Sequence, residues 1–166
     1  MTIDLLLVRG APGVGKRDAV GCLRSHMSNG AVVDVEAFRS MFARPSAADR
    51  QQHLIAMRIA RDAAVRFAAK QVVPVVLIDS FTSGKLTSFV ADLDRPYRIA
   101  SLYIDPGALR ERLMLRGATA RDIESASMIN AEIAVRRHER EKLIDVTGRD
   151  AEAIADVLRK WLRRAE

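Results

Sequence analysis

The stretch GAPGVGKRD, residues 10–18, follows the apolar run LLLV at residues 5–8. Its glycines and its lysine have the spacing G-x-x-x-x-G-K, in which backbone N–H groups and a lysine hold phosphate oxygens. Such a loop needs a buried strand before it and a helix after it, and the sequence on both sides is compatible with these elements. The stretch therefore predicts a strand, a phosphate-binding loop and a helix, in that order.

One position of this loop departs from the usual pattern. The residue after the lysine is normally Ser or Thr, whose hydroxyl binds the Mg²⁺ that accompanies a nucleotide, but here it is Arg17. A guanidinium cannot bind a cation, and its charge repels one. Three interpretations are open. Arg17 points away and a water takes the ligand's place, or it contacts the β- or γ-phosphate and replaces part of the metal's charge, or the site binds nucleotide or phosphate without turning it over.

The composition is that of a globular protein. The chain has 166 residues, of which 49% are hydrophobic and 29% are charged, and this predicts a single domain over 1–166. No apolar run reaches the length of about eighteen residues that a membrane span requires, and the first residues lack the features of a signal peptide. We therefore expect a cytoplasmic protein without a membrane partner. One cysteine and three scattered histidines exclude a disulfide framework and show no metal-ligand spacing.

The net charge of +6 raises the question of a nucleic-acid partner. The basic residues are spread over the whole chain, and an aromatic content of 5% leaves few side chains on which bases could stack. We interpret the charge as a solvated surface with a few anion-binding arginines. A nucleic-acid end as a partner is not favoured, and the oligomeric state stays open.

Short apolar runs alternate with longer segments of helical periodicity, which is typical of a parallel sheet covered by helices on both faces. We predict a three-layer α/β/α sandwich with a mostly parallel five-stranded sheet. The strands are expected at 3–8, 31–35, 75–78, 98–104 and 143–146.

Several helix ends are also predicted. The helix after the glycine loop is expected to end at Asn29, with Gly30 as its cap. Ser46 and Asp49 form the pattern of a helix start. The helix that they begin is expected to present an apolar face made of residues spaced by four, namely Ile55, Ile59, Ala63 and Phe67.

Two further helix starts are predicted downstream. Asp105 precedes Pro106, which is the order of a cap and a first helical residue. Thr119 and Asp122 predict the start of a long polar helix that reaches about Lys142.

An acidic residue, Asp79, ends the apolar run 75–78. In phosphate-loop proteins a carboxylate at this place orders Mg²⁺ and its waters. A simple cap or turn role is the alternative. We predict that Asp79 helps to position a metal.

With these elements the chain resembles the small phosphate-loop kinases of metabolites and nucleic-acid ends, such as gluconate, shikimate, adenylate and 5′-hydroxyl polynucleotide kinases and chloramphenicol phosphotransferase. GAPGVGK matches their loop, and DVE at 34–36 lies where many of them carry D-x-D. EAFR at 36–39 fits the D-x-apolar-R of the polynucleotide-kinase branch, and RLMLRG at 112–117 resembles their R-L-x-x-R-G element before the lid. The resemblance implies an NMP-kinase-like fold, ATP and Mg²⁺ as cofactors, and transfer of a phosphoryl group to a hydroxyl.

The resemblance also implies roles for individual residues. Asp34 and Asp79 would position Mg²⁺, with Asp34 on the same strand face as Glu36. Glu36 would be the base, one methylene longer than the family's usual Asp, and Arg39 would bind the acceptor. The alternative for Asp34 and Glu36 is a helix N-cap and a first-turn acid. The nucleotide would be bound by Gly10, Ala11, Pro12, Gly13, Val14, Gly15, Lys16, Arg17 and Asp18.

Three arginines complete the implied site. Arg112 and Arg116 are four residues apart and share a helix face. By resemblance Arg112 packs on the adenine and Arg116 approaches the transferred phosphate. The segment 117–140 would be a lid, and Arg121 within it would close over phosphate. A solvated helix with ion pairs is the alternative for Arg121.

The function that these features favour is an ATP-dependent phosphotransferase acting on a hydroxyl of a small molecule or a nucleic-acid end. The alternative is a catalytically impaired nucleotide- or phosphate-binding regulatory protein, because Arg17 replaces the metal ligand. A switch or motor NTPase fits less well, since no water-positioning Gln is evident.

Overall fold

Five strands form the centre of the molecule: β1 (Leu5–Gly10), β2 (Ala31–Asp34), β3 (Val75–Asp79), β4 (Tyr97–Tyr103) and β5 (Glu141–Asp145). In the computed structural model, which describes residues 3–135 and 138–163, they lie in the order β2-β3-β1-β4-β5. Each described pairing is parallel. The predicted five-stranded parallel α/β sheet is confirmed.

Helices connect the strands and cover both faces of the sheet. Within the described ranges they are α1 (Lys16–Ser25), α2 (Val35–Arg39), α3 (Arg50–Ala69), α4 (Ser83–Ala91), α5 (Pro106–Leu115), α6 (Ala120–Val135) and α7 (Ala151–Arg163). One core lies between the sheet and α1, α5 and α7, and the other between the sheet and α3 and α4. This is the predicted three-layer sandwich. Over the described ranges no helix has both the length and the apolar character that crossing a bilayer demands.

The central strand carries a fully buried charge. Arg9 lies on β1, and its Nη2 is 2.8 Å from Oε1 of Glu141, whose side chain is also fully buried. The same guanidinium donates through Nε to Ser101 Oγ at 2.6 Å and through Nη1 to the carbonyl of Phe81 at 2.9 Å. Arg9 therefore links β1 to β4, to β5 and to the loop after β3.

The end of α1 differs from the prediction. The helix ends at Ser25 instead of Asn29, and Gly30 precedes β2 with a φ of 119°. A Cβ added to Gly30 would lie 2.5 Å from the carbonyl oxygen of Pro74. Gly30 thus allows a close approach of two backbones and does not cap the helix.

The start of α3 also lies later than predicted. Asp49 is its N-cap and accepts hydrogen bonds from the backbone N–H groups of Gln51 and Gln52. Ser46 lies outside the helix, where its N–H donates to Gln52 Oε1 at 2.9 Å. The pair Ser46 and Asp49 marked the region correctly, but the capping residue is Asp49 because its carboxylate bonds two free N–H groups of the first turn.

The apolar face predicted for α3 is not its buried face. Ile55, Ile59 and Phe67 are 36%, 44% and 43% exposed. The buried side of the helix is made instead of Ala56, Met57, Ala60, Ala64 and Ala68. Small side chains let the helix lie close to the sheet, and this tertiary packing decides which face is buried.

The predicted helix to Lys142 is too long. The reciprocal hydrogen bonds between Thr119 and Asp122 confirm its start, but the helix described as α6 ends at Val135, and β5 begins at Glu141. Residues 136 and 137 lie outside the described residues. Glu141 belongs to the sheet because it pairs with the buried Arg9.

Within the segment predicted as a lid, α6 is attached to the sheet. Asn130 is buried, its Oδ1 accepts from the N–H of Ile104, and its Nδ2 donates to the carbonyl of Ile104. Ala126 and Ile133 are buried on the same helix. The confirmed cap Asp105, which accepts from the N–H of Ala108, lies next to this anchor.

We expect Glu141→Gln to lower the free energy of unfolding by about 3–5 kcal/mol, because the buried guanidinium of Arg9 loses the carboxylate that offsets its charge. The melting temperature should fall by roughly 10 °C. Circular dichroism follows both quantities: urea unfolding gives the free energy of unfolding, and thermal unfolding gives the melting temperature. The matched control is Glu152→Gln, which removes an exposed ion pair with His26 and should change the stability by less than about 1 kcal/mol. Equal losses of stability in the two variants would contradict the view that the buried charge of Arg9 depends on Glu141.

Candidate functional site

The glycine loop joins β1 to α1 at the carboxyl edge of the sheet. Gly13 and Gly15 have φ values of 90° and 92°, a left-handed conformation that glycine adopts without strain. Gly15 is the N-cap of α1, and no described side chain caps this helix. The first-turn N–H groups and the positive end of the helix dipole therefore face outward, as an anion site requires.

Lys16 lies folded against this loop. Its Nζ donates to the carbonyls of Gly10 and Ala11 at 2.6 and 2.9 Å. Burial lowers the pKa of Lys16 to about 8, although the nearby Asp79 acts in the opposite direction. The lysine is thus a cation at neutral pH and becomes neutral at mildly alkaline pH.

A cavity of about 800 Å³ opens over the loop, within the size range of small-molecule sites. The loop, α2, the start of α3, the end of β3, and parts of α4, α5 and α6 form its walls. It brings together most of the residues that the sequence singled out: Pro12, Gly13, Gly15, Lys16, Arg17, Asp18, Asp34, Glu36, Arg39, Asp79 and Arg116.

Other predicted residues do not line this cavity. Gly10, Ala11 and Val14 are buried within the loop region. Arg112 and Arg121 also lie outside the lining. Arg112 is one turn before Arg116 on α5, whose Leu113 packs against Gly13. The implied adenine contact of Arg112 and the lid role of Arg121 stay predictions.

Arg17 is turned towards Asp34. Its Nε lies 2.6 Å from Oδ2 of Asp34, and this hydrogen bond raises the pKa of Arg17. The other oxygen of Asp34 accepts from the N–H of Glu36 at 3.0 Å, so Asp34 is the N-cap of α2. The expectation that Asp34 and Glu36 share a strand face is wrong, because β2 ends at Asp34 and Glu36 belongs to the first helical turn.

Glu36 forms the second acid–arginine pair of the cavity. Its Oε2 contacts Nη2 of Arg39, one turn later on α2. The side chain of Glu36 is 42% exposed and that of Arg39 is 18% exposed. The carboxylate that the resemblance implies as the base is therefore accessible to an acceptor and is oriented by an arginine.

Asp79 has a histidine partner that the sequence analysis missed. Oδ2 of Asp79 lies 3.0 Å from Nε2 of His53, and both side chains are 12% exposed. The distance is that of an ion pair, but neither atom meets hydrogen-bond geometry with any described group. Burial acts to raise the pKa of Asp79, but His53, the N–H of Ser80 and Lys16 outweigh it and keep the pKa below its usual value.

Two further cations of the cavity also escaped sequence reasoning. Arg50 begins α3 and Lys85 lies on α4, and both line the cavity. Neither forms an ion pair with a described residue. Their only sequence signal is a position near the start of a helix, and His53 likewise lies in the second turn of α3. Which of these side chains share a cavity depends on how the helices pack over the sheet.

The donors available for Mg²⁺ are few. Both oxygens of Asp34 are engaged, and the described residues contain no group of three or more His, Cys, Asp or Glu able to hold a metal. Oδ2 of Asp79 is buried and forms no hydrogen bond to a described residue, although Nε2 of His53 lies 3.0 Å away as its ion-pair partner. Mg²⁺ is commonly bound by one or two carboxylates together with phosphates and waters. These donors are too few for a metal site built from protein side chains alone, and they fit a metal that a phosphate ligand would also hold, for which Asp79 would be the candidate protein ligand.

Comparison with known proteins gives structural similarity only. The sequence matches no protein-family model, and no curated protein matches it. The APS kinase of Mycobacterium tuberculosis, in complex with AMPPNP and APS, is 13% identical with a TM-score of 0.73, over 98% of this chain and 99% of that one. The tunicamycin resistance protein of Deinococcus radiodurans is 17% identical with a TM-score of 0.73, over 98% and 97%.

A gluconokinase from Sinorhizobium meliloti is similar as well, with 14% identity and a TM-score of 0.70 over 98% of this chain and 93% of that one. These matches extend over nearly the whole chain and confirm the predicted resemblance in fold. At these identities they show the fold and not the reaction. The chain therefore has the α/β fold of the small P-loop kinases, with its glycine loop between the central strand and the first helix.

Proposed function

We propose that the chain is an ATP-dependent phosphotransferase that moves the γ-phosphoryl group to a hydroxyl of a small molecule. The observation that carries this proposal is the convergence of the glycine loop, Lys16, Glu36 and Asp79 on one cavity. Phosphoryl transfer needs positioning, neutralisation of charge and a base near the attacking hydroxyl. These residues can supply all three, and a cytoplasmic location, where ATP is abundant, is part of the proposal.

In this reaction the acceptor oxygen forms a bond to the γ-phosphorus while the bond to the β,γ-bridging oxygen breaks. The loop N–H groups and Lys16 hold the phosphates, and Glu36 accepts the proton of the acceptor hydroxyl. Arg39 orients Glu36 and the acceptor, and Arg116 approaches the transferred group. When Mg²⁺ is bound it neutralises phosphate charge, and Asp79 is the residue that would hold it.

The cavity favours an acceptor that carries negative charge. Arg50 and Lys85 line it without an ion-pair partner among the described residues. A bound anion would pair with cations that are otherwise solvated. The similar gluconokinase and APS kinase structures support a small-molecule acceptor. A nucleic-acid end is not favoured, because the basic residues are spread over the whole chain and are not clustered in one segment.

A second candidate function is nucleotide binding without turnover. Arg17 engages Asp34, and Arg39 engages Glu36, so two of the carboxylates that a kinase would use have arginine partners. A regulatory protein would retain the loop and bind ATP, while acceptors would leave the ATP unchanged.

An ADP-release assay with a panel of acceptors separates these functions. The panel pairs neutral sugars with the corresponding sugar acids and includes a short 5′-hydroxyl oligonucleotide. We expect release with at least one acid and weaker release with its neutral counterpart. ATP binding without release for any acceptor would support the regulatory function, and absence of ATP binding would refute both functions.

For Glu36→Gln we expect ATP affinity within about twofold of the wild type and a turnover lowered by about 10²–10⁴, the usual contribution of a general base. Calorimetry and the ADP-release assay measure the two quantities. The control is Glu111→Gln, on the exposed side of α5, which should leave both unchanged. An unaltered turnover in Glu36→Gln would remove Glu36 from the mechanism.

ATP affinity should fall as the pH rises from 7.5 to 9.5. The pKa of Lys16 is lowered to about 8, so above this pH the lysine of the free protein is neutral. It must then take up a proton to bind phosphate, and the ATP affinity should fall by up to about tenfold per pH unit. Calorimetry in buffers of different ionisation enthalpy detects that proton. Lys16→Arg should abolish the slope, since a guanidinium stays charged. The same slope in this variant would exclude Lys16 as its source.

A further inference from the structure

We propose that Arg17 is a built-in cation of the nucleotide site: Asp34 holds its Nε, its Nη groups donate to the phosphates of ATP, and nucleotide binding therefore depends little on Mg²⁺. This inference rests on the nucleotide site of the proposed function. It concerns what replaces the metal-binding hydroxyl that phosphate loops carry after their lysine.

The position of the side chain supports this role. Arg17 follows Lys16 at the start of α1, and Asp34 ends β2. The 2.6 Å contact between Nε and Oδ2 therefore joins the first turn of α1 to the end of β2, and both residues line the cavity. The guanidinium does not point away from the site.

The guanidinium of Arg17 also has N–H donors that the contact with Asp34 does not use. It carries five N–H groups in a rigid planar fork. Among the residues that the structure describes, its hydrogen-bond partner is Asp34, which it contacts through Nε. The side chain is 62% exposed. The two Nη groups are thus accessible from the cavity. A guanidinium fork matches the oxygens of a phosphate group, and its hydrogen bonds to such oxygens are among the stronger ones in proteins.

The charges of Lys16 and Arg17 explain the role of the ion pair between Arg17 and Asp34. Arg17 and Lys16 are neighbouring cations, and in an empty site they repel each other. Asp34 offsets this repulsion and fixes the orientation of the guanidinium. A triphosphate brings more negative charge than Lys16 alone can balance, so Arg17 becomes favourable once ATP is bound. The same positive charge disfavours a second cation at this place.

The test measures ATP affinity by calorimetry in EDTA and in Mg²⁺. The wild type is expected to change by less than about threefold between the two. Arg17→Ser should bind at least about tenfold more weakly in EDTA, the loss of one charge-assisted contact, and should recover affinity on addition of Mg²⁺ because it regains the hydroxyl ligand. Arg17→Lys should be intermediate, since a lysine cannot bond Asp34 and a phosphate through separate rigid donors.

Two further variants make the test specific. Arg24→Ser removes an exposed arginine of the same helix that does not line the cavity, and it should leave both affinities within about twofold. Asp34→Asn keeps the charge of Arg17 but replaces its charged anchor with a neutral acceptor, and it should weaken binding in EDTA less than Arg17→Ser does. Melting temperatures close to the wild-type value would show that the variants are folded, as expected for changes at the exposed Arg17 and Arg24 and for an asparagine that can still cap α2 at position 34.

Two results would overturn the inference alone: wild-type ATP binding that is more than about tenfold tighter with Mg²⁺, or an Arg17→Ser affinity in EDTA equal to that of the wild type. Either result leaves the proposed kinase function intact, because ATP still binds. Absence of wild-type ATP binding in both buffers would refute the inference and the proposed function together.

Discussion

The central strand β1 constrains the rest of the molecule, because it is hydrogen-bonded on both edges and buried on both faces. Its end must lead into a loop that leaves the sheet sharply, and the left-handed glycines of the glycine loop, Gly13 and Gly15, make this turn possible. Just before the loop, Arg9 brings a charge into the interior. Its partners come from β4, β5 and the loop after β3. β1, which leads into the glycine loop, is thus also linked through Arg9 to the elements around it.

Much of the fold could be predicted because its signals are local. The apolar strands, the glycine loop, the Asp105 cap and the Thr119 start each depend on residues close together in the chain. The errors arose where distant contacts decide. Gly30 serves the approach of Pro74, and Glu141 is drawn into the sheet by Arg9, which lies on a strand at the other end of the sequence. Periodicity alone could not reveal either contact.

In the candidate site as well, residues with a local sequence signal could be predicted, and residues placed by distant contacts could not. The loop, Asp34, Glu36 and Asp79 follow strand ends, so their meeting at one edge could be predicted from the parallel sheet. His53, Arg50 and Lys85 reach the cavity from helices whose placement depends on packing, and the sequence showed no reason to combine them with Asp79. The pairing of each acid was equally hidden. Asp34 and Glu36 have arginine partners, Arg17 and Arg39, whereas the partner of Asp79 is a histidine.

The small side chains on the inner side of α3 control the distance between His53 and Asp79. Ala56 and Ala60 follow His53 on this helix and are fully buried, so the helix axis lies near the sheet. A bulkier residue at either position would lift the first turns of α3 and separate Nε2 from Oδ2. The shape of the cavity can therefore diverge in evolution through changes in the core, while every residue that lines it stays the same.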